Sequence, residues 1–473
     1  MEEKLSIISG GTLRNRLEDY IISGKIDEAK KMFSCNADIA KQAIEQYNAS
    51  THKIMNRANK KRVDKSDYKT CKLPRNLQAF VNEIATFMMF GQGIEFILDG
   101  DISQKEQLKP AFDAFIDFTE KIYFDERMRE AKRIAGAETE AAKLFTLYTN
   151  SDNKPKIVCQ VLANSKEQKL YTLFNQFDEL VAFAVGYFLK NEENQNEEFF
   201  DIYTSNNIFK CTRKSQSSEW LIDSRGNPFN KIPVIYYKQS VEWEGAQERI
   251  DRLEWVDSKR GDTNEYFGDP YLCVSQDVVQ NRLADPQAVG KVIAMDGENS
   301  TFKFVAPPDC GENIENEKTD LYASILQDTL TPELTYKTIM GLGTLSGEAM
   351  RRITLPGYIK RAIRAEIYSP LIRREINLIK TILCSYVHAD DYDLCKKIKE
   401  MKIKFSYRDP FIGGIDDNSE EIATLMGAGA MSIETAVNMN RFVQDKDAEI
   451  ERIMQEKARL IALENNTKNL NDN

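Results

Sequence analysis

Through residues 1–60, apolar positions recur at the helical spacing. Leu13, Leu17 and Tyr20 or Ile21 share one face. After the break at Ser23-Gly24, Ile26, Ala29 and Met32 or Phe33 repeat it, and Ile39, Ala43, Ile44 and Tyr47 continue it. Pro74 opens a stronger stripe of Leu77, Phe80, Val81, Ile84, Phe87 and Met88. It closes at Gly91-Gln92-Gly93, where glycine can take the left-handed conformation that ends a helix. Ile94, Phe96 and Ile97 read as a short strand, and 105–145 as charged helix. From residue 142 the period falls to two. Segments 144–148, 156–162, 180–189, 198–204, 219–223 and 231–237 alternate between polar turns, which predicts an antiparallel sheet with one wet face packed on helices.

Residues 245–267 return to helix, with Ile250, Leu253, Val256, Arg260, Asn264 and Phe267 in register and Asp251, Glu254, Asp257 and Asp262 beside them. So thin an apolar stripe suits either burial between subunits or an ordinary surface helix. Residues 271–310 read as short strands: Val289, Val292 and Ala294, then Phe302, Phe304 and Val305, flank a turn at 296–299 as a small hairpin module. Forty residues make too little core to stand without neighbours. The remainder is helical, with breaks expected at Gly341, Gly343, Pro356 and Pro370, a strand at 401–410, a last charged helix over 447–465 and a disordered tail. The class is α+β.

Composition narrows the chemistry. The 473 residues carry 64 basic and 74 acidic side chains, a formal net charge of −10, which disfavours general duplex binding by phosphate neutralisation. Only two histidines are present, His52 and His388, too few for most histidine-based metal sites and triads. The eight cysteines form no C-x-x-C pair and read as free thiols of a reducing compartment. The opening segment is acidic and lacks the basic-then-apolar order of a secretory signal. The longest apolar run, Leu180–Leu189, is half a membrane span. No phosphate-binding G-x-x-x-x-G-K-[ST] loop, nucleophile elbow or H-E-x-x-H motif occurs, so no catalytic residue, cofactor or metal is expected.

Two basic clusters stand out. Lys53, Arg57, Lys60, Lys61 and Arg62 suit a solvated helix end, or a contact to nucleic acid or an acidic neighbour. Arg351, Arg352, Lys360, Arg361, Arg364, Arg373 and Arg374 follow a low-charge, Gly- and Thr-rich stretch, and Ser346 stands where it can cap the helix that carries them. Salt bridges within or between chains and direct phosphate contact both fit this second cluster, with Arg351, Arg352 and Lys360 the candidate phosphate contacts.

The order of these elements resembles a known family. Tyr47 to Arg57 is similar to its Tyr-Tyr-x-Gly-x-His-x-Ile-x-x-Arg element, keeping His52, Ile54 and Arg57, with Asn48 for the second tyrosine and Ser50 for glycine. Asn76 to Gly93 resembles its Asn-rich helix, and Asn227 to Tyr237 its N-x-F-G-x-I-P-V-I strand, with Asn230 for glycine. Ile250 to Pro270 resembles its first stem helix, and Leu345 to Met350 its S-G-x-A-L signature, followed by Met431–Thr435 and Asp447–Ile453. Over residues 40–460 the chain resembles the portal proteins of tailed bacteriophages, of the siphophage type.

That resemblance implies a ring of about twelve copies around a DNA channel at one capsid vertex, used in packaging and ejection. Its implied partners are double-stranded DNA, the terminase large subunit, the major capsid protein, a scaffolding protein and a head-tail adaptor, with no membrane. The chain would be assembled in the host cytoplasm and reside in the virion. The implied plan is wing 1–240, stem helix one 241–268, clip 269–318, stem helix two 319–333, tunnel loop 334–347, wing again 348–415, and crown helices with tail 416–473. It implies a stem interface at Ile250, Leu253, Val256 and Phe267, clip residues Val289, Val292, Phe302 and Phe304, and a channel lined by Tyr336, Lys337, Met340, Gly341, Leu342, Gly343 and Thr344. A buried helix-helix loop is the other reading of 334–347. A capsid or adaptor component without a channel, and a carboxylate-dependent nuclease, are the competing functional classes.

Overall fold

A computed structural model describes residues 10–61, 67–149, 155–190, 195–215, 217–267, 271–275, 291–295, 311–334, 347–411, 419–440, 443 and 446–471. The N-terminal helical period becomes α1 (Gly10–Ile22), α2 (Ile26–Lys31), strand β1 (Ser34–Cys35) and α3 (Ala37–Tyr47), then short 3₁₀ turns and the small pair β2 (Lys60–Lys61) and β3 (Asp67–Tyr68). The stronger stripe is α4 (Leu77–Phe90). The left-handed residue after it is Gly93, whose hydrogen faces the Asp125 carboxylate where no Cβ would fit. Strand β4 (Ile94–Asp99) and helices α5 (Ile102–Lys121) and α6 (Phe124–Glu138) complete this part.

The period-two region gives β5 (Glu140–Thr149), β6 (Pro155–Leu162), β7 (Lys169–Phe174), β8 (Leu180–Lys190), β9 (Asn196–Tyr203), β10 (Asn207–Arg213), β11 (Leu221–Gly226) and β12 (Val234–Lys238). They form two sheets: a six-stranded one in the order β1-β7-β8-β9-β10-β11, and a three-stranded one in the order β12-β5-β6. Every pairing in both is antiparallel. The expected wet face is absent over the centre of the larger sheet. Tyr171, Ala184, Phe200, Ile202, Phe209 and Cys211 pack under α1 and α2, while Leu170, Phe183, Val185 and Tyr203 pack on the smaller sheet. Alternate residues of each strand therefore enter separate cores. The smaller sheet is also covered twice: Ala142, Leu144 and Val234 face the larger sheet, and Phe145, Ile235 and Tyr237 face the helices.

Helix α7 (Gln247–Phe267) follows, and α8 (Gly311–Asp328) runs back along it. The returning helix thus begins at Gly311, earlier than the expected 319. Between them, β13 (Tyr271–Ser275) and β14 (Lys291–Met295) pair in parallel, Leu272 opposite Val292. A parallel pair cannot be a tight hairpin; it needs a crossover, and residues 276–290 are long enough to supply one. The hairpin expected across 296–299, with Phe302 and Phe304, and the clip residue Val289 lie outside the described residues.

The long helix α9 (Gly347–Ile382) passes through Pro356 and Pro370 without a break. A proline costs roughly 3 kcal/mol in a helix interior. Tyr368, Ile372, Ile376, Leu378 and Ile379 are all buried on this helix, at roughly 1.5–3 kcal/mol each, so packing outweighs the two lost bonds. Helix α10 (Tyr392–Glu400) leads to β15 (Lys402–Tyr407), the strand expected at 401–410, which pairs antiparallel with β4.

The chain divides into two units: 1–332 with 356–408, and 333–355 with 409–473. The second contains α11 (Ser419–Gly427), α12 (Ile433–Met439) and α13 (Lys446–Asn471). Ser432 caps α12 by accepting a hydrogen bond from the Thr435 amide at 3.1 Å. The last helix reaches Asn471, through most of the tail expected to be disordered.

Candidate functional site

Helix α7 presents three faces, each with a different partner. On the first, Ile250, Leu253 and Val256 are 0%, 1% and 6% exposed. Ile250 and Leu253 belong to one core with Leu77, Trp243, Ala246 and Ile325, and Leu321 and Tyr322 of α8 pack against it. This thin stripe is covered within the chain. Phe267, the fourth residue expected there, ends the helix, and its side chain is outside the described residues.

The second face is acidic, and residues 52–57 and 71–75 lie along it. Lys53 meets Asp251 at 2.6 Å, Arg57 meets Asp262 at 2.5 Å, and Arg75 meets Asp257 at 2.5 Å. Backbone amides join in: Arg75 N donates to Glu254 at 2.8 Å, Leu73 N to the Ser258 hydroxyl at 3.0 Å, and Cys71 N to Asp262 at 2.7 Å. Gly261 makes the approach feasible, because a Cβ there would stand 2.6 Å from the Cys71 sulfur. The Lys53–Arg62 cluster is thus partly committed within the chain. Arg57 is buried in an ion pair, and the Lys60, Lys61 and Arg62 side chains are outside the described residues.

His52 is the centre of that strap. Its Nδ1 lies 2.7 Å from Glu254 Oε1 and its Nε2 lies 2.7 Å from the Gln46 carbonyl. A carboxylate and a carbonyl only accept, so the doubly protonated ring satisfies both contacts and a neutral ring satisfies one. Burial works against that charge, but the hydrogen bond and attraction of Glu254, helped by the Gln46 carbonyl, raise the pKa above its ordinary value of 6.5.

The third face of α7 is exposed and carries Glu248, Arg252, Trp255 and Lys259. Bridges across to α8 fix the level of the two helices. Asp257 meets Lys318 at 3.1 Å, Arg260 meets Glu315 at 2.5 Å, Arg252 meets Glu317 at 2.7 Å, and Arg249 pairs with Asp328.

A second charge cluster holds the base of α7 to α9. Glu242 is buried among three cations: Lys132, fully buried against its Oε1, Lys360 at 3.0 Å and Arg364 at 3.1 Å. Gln239 donates to the same carboxylate at 2.7 Å and accepts from Tyr368 at 2.9 Å. Desolvation pushes Glu242 upward, but Lys132, Lys360 and Arg364 outweigh it and hold its pKa well below the usual range. Burial pulls Lys360 down to about 8. Lys360, a candidate phosphate contact, is 8% exposed and also donates to the Glu242 carbonyl at 3.0 Å; its position is structural. Arg361 donates to the Tyr407 carbonyl at 2.6 Å. Arg352 is exposed, and the Arg351 side chain is outside the described residues. Three of the seven residues of the second basic cluster, Lys360, Arg361 and Arg364, are therefore held by intrachain bonds.

The expected channel residues Tyr336, Lys337, Met340, Gly341, Leu342, Gly343 and Thr344 lie outside the described residues. Val292 is in β14. Sequence reasoning did not single out Glu242, Lys132 or Trp255. For Glu242 no local signal exists, because its partners are 110 to 122 residues away. For Trp255 there was one: it falls on α7 opposite the apolar stripe. Among the described residues no group of three His, Cys, Asp or Glu could hold a metal ion, and no helix is long and apolar enough to cross a membrane.

A mixed α+β chain with a long antiparallel helix pair enclosing a small strand module is the architecture expected of a portal subunit, and the comparison with family models agrees. The family described as Phage portal protein, SPP1 Gp6-like, matches residues 35–462. The chain belongs to this family of phage portal proteins, which are structural components and not enzymes. No match was found among curated proteins.

Proposed function

We propose that this chain forms a closed ring at one capsid vertex and lines the channel through which DNA is packaged and ejected. The terminase large subunit and later a head-tail adaptor would dock at one end, and the major capsid and scaffolding proteins would hold the rim in a virion built in the host cytoplasm. The observation that carries this reading is the family match across 35–462, with α7 and α8 antiparallel on either side of residues 268–310. On this plan α7 and α8 are the stem, 268–310 the clip, 334–347 the tunnel loop, the two sheets with α9 the wing, and α11–α13 the crown. The stem boundary moves to Gly311, where α8 begins.

The acidic balance supports a channel that does not hold its cargo, since phosphate neutralisation is what gives a protein non-specific grip on a duplex. Native mass spectrometry at high protein concentration, with negative-stain imaging, tests the reading. Closed rings of about twelve subunits with a central hole are expected. A dimer as the only assembled species contradicts it.

A further inference from the structure

The apolar stripe of α7 is used up inside the chain, so a ring needs another surface. We propose that neighbouring copies meet through the outer faces of the helix pair: Trp255 and Lys259 on α7 of one copy against Glu312, Asn316, Asp320 and Ala323 on α8 of the next. The proposal rests on the ring reading above and names the surface that would build it.

Four observations support it. Trp255 is 41% exposed while Ile250, Leu253 and Val256 of the same helix are buried, and its indole N–H has no acceptor among the described residues. Two cations flank its ring, Arg57 at 5.0 Å, whose charge Asp262 balances, and Lys259 at 5.6 Å from the centroid, so the patch is aromatic and its positive charge rests on Lys259. The outer face of α8 is the opposite: Glu312 and Asp320 are exposed and meet no cation among the described residues, while Asn316 and Ala323 offer short side chains between them. Finally, residues 255 and 259 and residues 312, 316, 320 and 323 each follow the three-to-four spacing of a single helix face.

The heights agree as well. Within one chain the bridges Asp257–Lys318, Arg260–Glu315 and Arg249–Asp328 agree on the level to within about 3 Å, while the long Arg252 side chain reaches further along α8 to Glu317. Trp255 is therefore level with residue 320, and Lys259 with residue 316. Rotation about a ring axis along the helix pair preserves height, so a neighbour brings Asp320 and Ala323 beside Trp255. It also brings Lys259 within a turn, about 6 Å, of both Asp320 and Glu312. The two surfaces differ and lie on different helices, so the contact is heterologous and repeats from copy to copy until it closes. An exposed tryptophan flanked by arginine has the composition of an interface anchor. A nucleic acid fits the α7 half alone, because the α8 half would repel phosphates.

The experiment uses the full chain. With the eight native cysteines replaced by alanine, a Lys259→Cys/Asp320→Cys protein treated with a short bismaleimide should give a ladder of covalent oligomers on denaturing gels, which the cysteine-free parent does not. The two sites lie on different faces of the pair, so a link within one chain is out of reach. Lys259→Glu and Asp320→Lys should each lower the ring fraction about tenfold at fixed concentration, and the two together should restore most of it. Trp255→Ala should lower it comparably with an unchanged subunit melting midpoint. Rings that form without a ladder and are indifferent to all three changes overturn this interface alone. A wild-type chain that stays monomeric under crowding, with no ladder, overturns the ring reading and this interface together. Undiminished rings that lose duplex affinity on Trp255→Ala would assign the face to DNA instead.

Discussion

At the scale of single residues, the fold depends on a few buried charges that sequence distance conceals. Glu242 balances Lys132, Lys360 and Arg364, so the four are unequal under mutation. Glu242→Gln strands a fully buried lysine and should cost about 3–5 kcal/mol, whereas Lys360→Met removes one attraction together with a penalised charge and should cost several-fold less. Urea unfolding of the dissociated subunit measures both, and equal losses would contradict the arrangement. His52 gives a pH signature. Its folded pKa is raised above 6.5, so its contribution to stability is fully present below about pH 6.5 and is lost as pH rises through the folded value. The destabilisation caused by His52→Gln should accordingly be largest near pH 6 and shrink toward pH 9; a difference that grows with pH would reverse the assignment. His52 was legible as a motif residue, because it is one of only two histidines and stands in the stretch that resembles the family. That its partner is Glu254 was not, because the strap meets α7 across 202 residues of sequence.

At the scale of elements, periodicity reads well where one side of an element is covered and poorly where two are. The stripes of α1–α4 and the strands from β5 to β12 follow from spacing alone. The second cover on the six-stranded sheet does not, since a strand buried on both faces and a strand with one wet face differ only in a few outward residues such as Tyr171 and Phe200. Helix α9 shows the same limit from the other side: local proline rules expect breaks, and tertiary burial overrides them. Spacing marks Ile250, Leu253 and Val256 on α7 as buried but cannot say by what. The cover of Ile250 and Leu253 is α8, Trp243 and α4 of the same chain, which yields a prediction. Ile250→Ala should cost about 2–5 kcal/mol in the dissociated subunit itself, as a core truncation does. The check is a melting or urea midpoint at a concentration too low for assembly. Loss confined to oligomer formation would return this stripe to an intersubunit role.

For the whole molecule, the deciding quantity is how tightly the proposed ring would grip a duplex. Each chain carries a formal charge of −10, and its basic side chains are heavily engaged at home: Arg57 with Asp262, Arg75 with Asp257, Lys360 and Arg364 with Glu242, and Arg252 and Arg260 with α8. The cations held in these pairs are not free to displace counterions, and counterion release supplies essentially all of non-specific DNA affinity. Assembled rings should therefore bind linear duplex more weakly than about 10⁻⁶ M near physiological salt, with a shallow dependence on salt. The proposed channel segment 334–347 has Lys337 as its one internal charge, so it adds little grip. Placing arginine at Leu342 and Thr344 tests that proposal directly. If the segment faces the DNA, each new phosphate contact steepens the slope of log affinity against log salt by about 0.9, and the packaged length falls because a ring of fixed cations resists sliding. Equilibrium binding at several salt concentrations, on rings verified by native mass spectrometry, separates the outcomes. A steeper slope with shortened packaging supports a channel-facing segment. An unchanged slope with full-length packaging in intact rings places 334–347 away from the duplex, and the low adhesion of the channel would then rest on the acidic stem pair and not on its loop.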